Sequence, residues 1–298
     1  MIEFMFYLAH ISDIHLSPVP QPSFSELFGK RLTGYLNWQK KRKNQMTTGV
    51  LETLMCTIKA KNPDHLVISG DLVNLSLDKE FEQARNWLLV QGQPHDISLT
   101  FGNHDAYVRR ALQKACTIFQ PWIQGDLPQK NAFPYMRIRD NIAIIGASSA
   151  IATPPFQASG YFGKKQAQIL SQLLDEAAAR NLFRVVTIHH PPFHHATLWH
   201  KKLWGIGRFL DVIKRYGCEL ILHGHTHLPT LNIIEEKKRK IPIVGVASAS
   251  QGCGGKNPPA NFNFFTIEHA HHQWHCQLQR YSIINKNNDI VCTETIDL

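Results

Sequence analysis

The chain is poor in cysteine and has no long hydrophobic run, and both features limit what it can be. Its six cysteines show no C-x-x-C spacing and several lie in apolar runs, so we expect buried, reduced thiols, the state typical of a cytoplasmic protein. No window reaches the ~18 apolar residues that a membrane-spanning helix requires. The first ten residues lack a basic segment and a small-residue cleavage site, which predicts a core strand instead of a signal peptide.

Acidic residues are scarce relative to basic ones. The chain has 23 acidic and 32 basic residues, a formal net charge of +9 and a pI near 9.3, which favours anionic partners such as phosphates, nucleic acid or a membrane face. The basic excess lies in two clusters: Lys30, Arg31, Lys40, Lys41, Arg42 and Lys43 form the first, and Lys237, Lys238, Arg239 and Lys240 the second. The second cluster follows Glu235 and Glu236 and indicates an exposed hairpin.

The remaining composition is that of an ordinary globular protein. Hydrophobic residues make up 43% of the chain and charged residues 18%, and there is neither an internal repeat nor a low-complexity linker. We therefore predict a single domain over residues 1–298, with a basic and aromatic excursion at 18–45 and C-terminal β-strands at 241–298. The excursion either packs its aromatic side chains on the body or forms a lip that faces substrate or a membrane.

Five segments with the pattern of buried strands end in residues that can bind metals. The polar blocks that follow them are Asp13-Ile14-His15, Gly70-Asp71, Gly102-Asn103-His104-Asp105, His189-His190 and His223-Gly224-His225-Thr226-His227. Because side chains alternate along a strand, the i, i+2 spacing predicts that Asp13 and His15 share one side and that the three histidines of the last block enter one cleft. Gly224 permits a turn or a close approach of the backbone. Five such strand ends together indicate one metal site.

Other predicted elements separate these blocks. Helices are predicted at 47–61, 80–90 and 164–180, and a strand pair at 135–138 and 142–147 around the turn residues Asp140 and Asn141. Further strands, predicted at 241–247, 261–268 and 273–284, close the fold. The histidine-rich stretch 269–275 is favoured as a hairpin tip, and the stretch 193–204 is either a lid over the site or a packed loop.

The residue types in the five blocks limit the metals that they can bind. Aspartate, asparagine and histidine without cysteine form a mixed oxygen and nitrogen donor set, which suits manganese or iron and admits zinc. The set has too many imidazoles for calcium or magnesium alone. Seven candidate donors exceed what one ion takes. Two ions ~3.5–4 Å apart that share a carboxylate would use them, with a hydroxide between the ions as the nucleophile.

In order and spacing, the five blocks resemble the signature of the calcineurin-like metallophosphoesterases, over residues 13 to 227. The forms Gly-Asn-His-Asp, His-His-Pro-Pro and Gly-His-Thr-His are most similar to the bacterial class III cyclic-nucleotide phosphodiesterase branch. The resemblance implies an α/β fold of four layers, α/β/β/α, in which a two-sheet β-sandwich is flanked by helices and the site lies at the strand ends.

The resemblance also implies a role for each residue. The first metal would be held by Asp13, His15 and His227, the second by Asn103, His189 and His225, and Asp71 would bridge the two. His104 would face the scissile phosphate, stabilise its charge and protonate the leaving oxygen. Many relatives have a second acid where this chain has Asn74, whose side chain can accept a hydrogen bond but supplies no charge. His223 contacts substrate or caps its strand, and the structural role is favoured.

The sequence thus predicts an enzyme, a metal-dependent phosphoric ester hydrolase. The preferred function is a phosphodiesterase acting on a small anionic phosphoester such as a cyclic nucleotide or a glycerophosphodiester. The first alternative is a hydrolase of lipid-linked phosphate or pyrophosphate, peripheral at a membrane, motivated by the aromatic and basic residues 24–43. A nuclease is disfavoured because no nucleic-acid-binding motif accompanies the basic patches. A metal-binding scaffold without activity is disfavoured because every motif residue is retained.

Overall fold

The computed structural model of the chain describes residues 2–42, 45–46, 48–128, 131–236 and 239–298. Some residues that the sequence predictions include lie outside this described part: Met1, Lys43, Asn44, Thr47, Lys237 and Lys238. The fold is built on two mixed β-sheets of six strands each and a short two-stranded sheet.

The strands, numbered in chain order, are β1 (Ile2–Ile11), β2 (His65–Ile68), β3 (Ile97–Leu99), β4 (Tyr135–Arg139), β5 (Ile142–Gly146), β6 (Gly160–Tyr161), β7 (Phe183–Thr187), β8 (Leu203–Trp204), β9 (Leu220–His223), β10 (Leu231–Glu236), β11 (Arg239–Gly245), β12 (Asn261–Ala270), β13 (Gln273–Ile283) and β14 (Ile290–Asp297). The helices are α1 (Lys30–Asn37), α2 (Thr48–Ala60), α3 (Asp78–Gln91), α4 (Ala111–Ile118), α5 (Gln120–Ile123), α6 (Lys164–Ala179) and α7 (Ile206–Tyr216). Short 3₁₀ turns occur at Pro94–Asp96 and Trp199–Lys201, and a π-helical turn at Trp38–Arg42.

The first sheet joins the amino-terminal strands to the carboxyl-terminal ones, in the order β14-β13-β12-β1-β2-β3. Strands β1, β2 and β3 are parallel, whereas β12 runs antiparallel to β1 with Leu8 opposite Phe265. The second sheet has the order β10-β11-β9-β7-β5-β4, and its central strands β11, β9, β7 and β5 are parallel. Because the carboxyl ends of parallel strands lie at one edge of a sheet, each sheet gathers its polar strand ends there.

The two sheets pack face to face, and helices cover their outer faces. Phe6, Leu8 and Phe265 of the first sheet share a buried cluster with Ile144 and Leu222 of the second. Helices α2, α3 and α4 bury apolar side chains on the other face of the first sheet, and α6 and α7 do so on the second. This arrangement confirms the predicted four-layer α/β/β/α sandwich, while the prediction of a single domain stays a prediction.

Local sequence patterns account for most of these elements. Helix α2 has apolar residues at helical spacing, and five of them are buried: Val50, Leu51, Leu54, Met55 and Ile58. Burying each such side chain contributes about 1.5–3 kcal/mol. Strands β4 and β5 form the predicted antiparallel pair. The stretch 269–275 is the predicted hairpin tip, in which His271 and His272 join β12 to β13 with φ angles of 50° and 63°.

The predicted burial of the cysteines is wrong in part. All six are free thiols, but Cys56 and Cys292 are exposed whereas Cys218 and Cys276 are buried. Cys56 lies on the outer face of α2, and Cys292 lies on β14, the last strand of its sheet. An apolar neighbourhood in the sequence therefore did not bury these two side chains.

The basic and aromatic excursion is attached to the body of the protein by one of its faces. Trp38 and Val19 are buried in a small cluster with Leu75, Leu77 and Tyr107, as expected for aromatic side chains that pack on the body. Other aromatic residues of the excursion are exposed and are considered below. Among the described residues, none of the helices combines the length and apolarity needed to cross a bilayer.

Candidate metal centre

Loops from both sheets meet at one buried point. The loop after β1 lies beside the loop after β2, because the Asp13 amide donates to the Gly70 carbonyl (2.9 Å) and the His15 amide to the Asp71 carbonyl (3.0 Å). The loop after β9 reaches across from the second sheet, and the His225 amide donates to Asp13 Oδ2 (2.9 Å). The polar strand ends of the two sheets are therefore adjacent.

Two glycines allow these loops to approach closely. A Cβ at Gly224 would overlap Ser12 Oγ and approach Asp13 Oδ2, and a Cβ at Gly102 would overlap Asp71 Oδ1. Neither position has room for a side chain without displacing a neighbouring loop. The close backbone approach predicted at Gly224 is confirmed.

Five candidate ligands have a left-handed backbone conformation, which is uncommon for residues other than glycine. Their φ angles are 51° at Asp13, 44° at His15, 55° at Asp71, 68° at His225 and 56° at His227. Strand alternation is therefore the wrong explanation of their convergence, because β1 ends at Ile11 and β9 at His223. Left-handed turns bring these residues to the site instead. Such conformations cost of order 1–3 kcal/mol each and are typical of functional sites.

Two buried carboxylates face imidazoles at short distances. Asp13 Oδ1 lies 3.2 Å from His227 Nε2. The same oxygen lies 4.0 Å from His15 Nε2 and from His189 Nε2. Asp71 Oδ2 lies 3.4 Å from His189 Nε2 and 3.8 Å from His15 Nε2. Metal–ligand bonds of ~2.0–2.2 Å put donors of one ion up to ~4 Å apart, so these separations suit ligands of a shared ion.

The structure gathers these carboxylates and imidazoles in three overlapping groups, each with its donor atoms within 4.8 Å of one another. The groups are Asp13, His15 and His227; Asp13, Asp71 and His189; and His15, Asp71 and His104. Of the predicted imidazole and carboxylate ligands, all within the described residues, His225 alone lies outside these groups. Its ring centroid is 5.2 Å from that of His189. The predicted amide ligand, Asn103, follows Gly102 on the loop that contacts Asp71.

Main-chain carbonyls orient three of the predicted ligand imidazoles. The three hydrogen bonds run from His15 Nδ1 to Val73 O (3.1 Å), from His189 Nδ1 to Ser69 O (2.8 Å) and from His225 Nε2 to Lys201 O (3.0 Å). Since a carbonyl oxygen only accepts, each bond fixes which ring nitrogen carries the proton and assigns metal binding to the other nitrogen. Metal-binding histidines commonly have this arrangement.

The electrostatics of the site also fit a cation. Among the described residues, Asn103 Oδ1 is buried without a hydrogen-bond partner. Burial would raise the pKa of Asp71, yet His189 and His104 hold it well below its usual range. Burial would lower the pKa of His189, yet Asp71 and Asp13 raise it to about 9. The proton on His189 thus compensates the two carboxylates in part, a role that metal ions would take over.

His104 is held in a fixed orientation at the edge of the site. Its amide donates to Asp71 Oδ1 (2.7 Å), and its ring stacks on Tyr107 with the centroids 5.3 Å apart. Its Nδ1 donates to the main-chain oxygen of Asn74 (2.5 Å). The side chain of Asn74, expected to accept a hydrogen bond, instead donates to Leu16 O (3.0 Å). Because Nδ1 of His104 donates this bond, any exchange of a proton by the ring would take place at Nε2.

His223 does not join this cluster, which corrects the prediction that three histidines share one cleft. Its Nδ1 donates to Gly224 O (2.9 Å), and its Nε2 accepts from the Thr230 hydroxyl (3.2 Å). Burial lowers the pKa of His223 to about 4, so the ring is neutral at physiological pH. The structural role favoured for His223 agrees with these contacts.

The comparison with known protein families identifies the fold and its chemistry. The calcineurin-like phosphoesterase family matches residues 6–229, a range that contains every site residue described above. The chain belongs to the calcineurin-like phosphoesterase family. Membership makes it a metal-dependent phosphoester hydrolase, as the sequence predicts. This phosphoesterase is 26% identical, over 229 residues, to a probable cyclic nucleotide phosphodiesterase of Synechococcus sp., a match that covers 74% of this chain and 72% of the relative.

Solved structures show the same architecture in other phosphoesterases. A dimetal phosphatase of Danio rerio superposes with a TM-score of 0.60 at 11% identity, covering 98% of each chain. A purple acid phosphatase from yellow lupin seeds superposes with a TM-score of 0.64 at 12% identity, covering 99% of this chain and 54% of the lupin chain. At these identities the likeness shows the shared fold, two sheets between helices.

Two buried carboxylates that hold the loops of this phosphoesterase were not predicted. Asp105 accepts main-chain amides from Asp71 (2.8 Å), Leu72 (3.0 Å), Val73 (3.3 Å) and Gly102 (2.9 Å). Glu80 accepts main-chain amides from Asn74 (2.8 Å), Leu75 (2.9 Å) and Leu77 (2.9 Å). Asp105 ties the loop after β2 to the loop after β3, and Glu80 holds the segment whose carbonyl orients His104. The one available signal was the position of Asp105 inside a ligand block.

Proposed function

We propose that this phosphoesterase is a dinuclear-metal phosphodiesterase whose substrate is a small anionic phosphodiester, of the cyclic-nucleotide or glycerophosphodiester class. The observation that carries the proposal is the approach of two buried carboxylates, Asp13 and Asp71, to the imidazoles of His15, His189 and His227, within 3.2–4.0 Å. Similarity to a probable cyclic nucleotide phosphodiesterase supports the choice of substrate class.

In this proposal the ligands form two sets that share one carboxylate. Asp13, His15 and His227 would hold one ion, Asn103, His189 and His225 would hold the other, and Asp71 would contact both. The mixed oxygen and nitrogen donors favour manganese or iron and admit zinc. When bound, two such ions supply Lewis acidity, which lowers the pKa of water and neutralises charge that develops at phosphorus.

The residue to which we assign proton transfer is His104. Its Nδ1 donates to Asn74 O, so a protonated ring carries its second proton on Nε2. A departing alkoxide leaves readily only when it is protonated, and imidazole is suited to that step near neutral pH. The amide bond to Asp71 and the stacking on Tyr107, at an interplanar angle of 18°, hold the ring in position.

Positive charge beside the site supports an anionic substrate. The ammonium group of Lys30 lies 4.5 Å from the centroid of the Tyr107 ring, on which His104 stacks. Burial lowers the pKa of Lys30 to about 8, so the group is still mostly charged at neutral pH. A cation at the mouth of a buried site attracts phosphates and increases their local concentration.

The test is a metal-reconstituted substrate screen with a matched pair of variants. The protein is loaded with manganese, iron or zinc, its metal content is determined by elemental analysis, and hydrolysis of cyclic nucleotides, glycerophosphodiesters and bis(p-nitrophenyl) phosphate is compared with that of p-nitrophenyl phosphate. We expect two ions per chain and a preference for diesters. Asn103→Ala should lose one ion and at least about 100-fold in activity.

The control variant is Asn141→Ala, since Asn141 is an exposed asparagine of the β4–β5 turn. It should retain the metal content and the activity of the wild type. A preference for the monoester would overturn the proposed substrate class. Two bound ions without hydrolysis of any of these esters would favour the metal-binding scaffold.

A further inference from the structure

We propose that the mouth of the site is bordered by a surface that docks on an anionic lipid bilayer. The surface, called the rim below, comprises residues 24–36, 153–161 and 198–204. These residues belong to the excursion, to the loop before β6 and to the segment that contains β8. Docking of the rim does not depend on the hydrolysis proposed above.

The rim carries five of the six most exposed large apolar side chains of the described residues. Phe24 is 98% exposed, Phe28 91%, Phe156 84%, Leu198 68% and Trp199 65%. Val90 on α3, at 73%, is the other large apolar side chain above 60% among the described residues. Isolated exposed apolar residues are ordinary, whereas a concentration of them along one border marks an interaction surface.

The three segments of the rim are joined by hydrogen bonds and form a continuous border. The ammonium group of Lys30 donates to Thr153 Oγ1 (2.7 Å) and to Gln157 O (3.0 Å), which links the excursion to the loop before β6. The Ala158 amide donates to His200 O (2.9 Å), and β6 pairs with β8. The exposed aromatic residues of all three segments therefore lie on neighbouring parts of the surface.

The rim also contacts the site directly. The main-chain oxygen of Lys201 accepts the ring proton of His225 (3.0 Å), which is a proposed ligand. A second contact comes from Lys30, which lies over Tyr107, the ring on which His104 stacks. A layer that covered the rim would lie next to the opening through which a substrate reaches these residues.

Packing of the excursion fixes which of its side chains face outward. Gly34 lies against the Tyr107 hydroxyl and Leu75, so that no Cβ would fit there, and Trp38 is buried in the same cluster. Because the side of the excursion that carries Gly34 and Trp38 packs on the body, Leu32 and Leu36 remain about half exposed. These two residues are four positions apart on α1 and therefore lie on one side of that helix, and the exposed Phe24 and Phe28 precede it in the chain.

Backbone strain gives a second indication that the exposed aromatic residues have a purpose. Phe156 has a φ angle of 65°, a left-handed conformation that a bulky residue adopts at an energetic cost. In this conformation its ring is 84% exposed, so no packing contact of comparable size offsets the strain. A phenyl ring held outward in this way is ready to enter an apolar phase.

The chemistry of the rim matches a bilayer with anionic headgroups. The exposed cations include Lys201 within the rim and Lys40, four residues after Leu36. The whole chain carries a formal charge of +9. Phenylalanine, leucine and tryptophan enter the interface between headgroups and acyl chains, and lysine binds anionic headgroups. A bilayer accepts separately projecting rings without the matching pockets that a protein partner would need. Phosphoesters linked to lipids would then be within reach, a consequence that does rest on the proposed function.

The experiment is co-sedimentation of the full chain with vesicles. Vesicles of phosphatidylcholine with phosphatidylglycerol are compared with vesicles of phosphatidylcholine alone. We expect wild type to bind the anionic vesicles, and binding to weaken as salt rises. The double variant Phe24→Ser/Phe28→Ser should weaken the partition by at least about tenfold. Lys40→Glu should weaken it by about threefold or more, on anionic vesicles only.

Val90→Ser is the control, since it removes another exposed large apolar side chain, on α3 outside the rim segments, and should bind like wild type. Hydrolysis of bis(p-nitrophenyl) phosphate without vesicles reports on the fold and the site separately, and all of these variants should equal wild type in it. Docking is overturned if wild type does not sediment with anionic vesicles, or if the double variant sediments as well as wild type. If wild type binds anionic vesicles but does not hydrolyse phosphodiesters, the result would count against the proposed function and not against docking.

Discussion

The floor of the site and the loops behind it each contain a deeply buried aspartate, and the two have different surroundings. Asp71, on the floor, faces the imidazoles of His189 and His15. Burial would raise its pKa, but imidazoles hold it well below the usual range. Asp105, behind it, accepts four main-chain amides, and burial with the neighbouring Asp71 charge raises its pKa to about 7. We propose that the first carboxylate binds a cation, whereas the second organises the backbone by accepting main-chain amides.

The largest effect should come from the floor of the site. Asp71→Asn replaces the proposed shared carboxylate by a neutral amide, so kcat/KM for bis(p-nitrophenyl) phosphate should fall at least about 10³-fold, with loss of bound metal. The free energy of unfolding of the metal-free protein should change by about 1 kcal/mol or less, because the amide oxygen still accepts the His104 amide and His189 can release its proton. Activity within tenfold of wild type would contradict the assignment.

The second largest effect is expected at His104, which contacts both the floor of the site and the loops behind it. Its amide donates to Asp71, and its ring donates to the Asn74 carbonyl. His104→Ala should lower kcat about 10²–10³-fold for a diester with an alkoxide leaving group. It should lower kcat less than about tenfold for bis(p-nitrophenyl) phosphate, because nitrophenolate leaves without a proton. Metal content should not change.

The control for this substitution is His95→Ala, because the His95 side chain is 69% exposed and precedes β3, whereas the ligand block follows the other end of that strand. It should leave both rates unchanged. Equal losses for the two leaving groups in His104→Ala would remove the role of His104 as a proton donor and leave it a role in binding phosphate.

A smaller effect on activity, but a larger one on stability, should come from the loops behind the floor. In Asp105→Asn one carboxylate oxygen becomes an amino group that faces main-chain amides, so buried donors lose their acceptor. We expect the free energy of unfolding to fall by about 2–4 kcal/mol, measured by chemical denaturation. Activity per metal-loaded molecule should fall by about tenfold or less. An unchanged stability with an activity loss as large as that of Asp71→Asn would erase the distinction between the two carboxylates.

The contrast between these regions also explains what the sequence could predict. The five polar blocks follow buried strands, and side-chain type and spacing suffice to bring Asp13, Asp71 and His189 into one hypothesis. The two-sheet fold followed from the same resemblance and is confirmed. The seven metal ligands stay predictions, supported by short distances for Asp13, His15, Asp71, His189 and His227.

The parts that sequence reasoning missed depend on the main chain or on burial. The left-handed conformations at the ligands were not predicted, because the residue pattern was read as extended strand. Glu80 lies at the start of a predicted helix, and Asp105 lies two residues after the predicted ligand Asn103. Their spacing therefore does not distinguish an acid that accepts main-chain amides from an exposed one. Strand β14 lies within the predicted C-terminal β-region, but it was not predicted as a separate strand, because six of its eight residues are exposed and its apolar residues do not alternate with polar ones.

The smallest effect is expected at Asn74, where the chain departs from the pattern of many relatives. Its main-chain oxygen, not its side chain, accepts the His104 proton, and its side-chain amide donates to Leu16 O. Asn74→Asp should therefore change kcat by less than about threefold and leave the pH–rate profile unshifted. It should cost about 1–3 kcal/mol of stability, because a carboxylate would face the Leu16 carbonyl and the buried Glu80. Asn74→Ala, which adds no charge, is the matched variant. The pH–rate profile could instead shift to lower pH in Asn74→Ala or to higher pH in Asn74→Asp. Either shift would mean that the Asn74 side chain, and not its carbonyl alone, sets the pKa of the His104 ring.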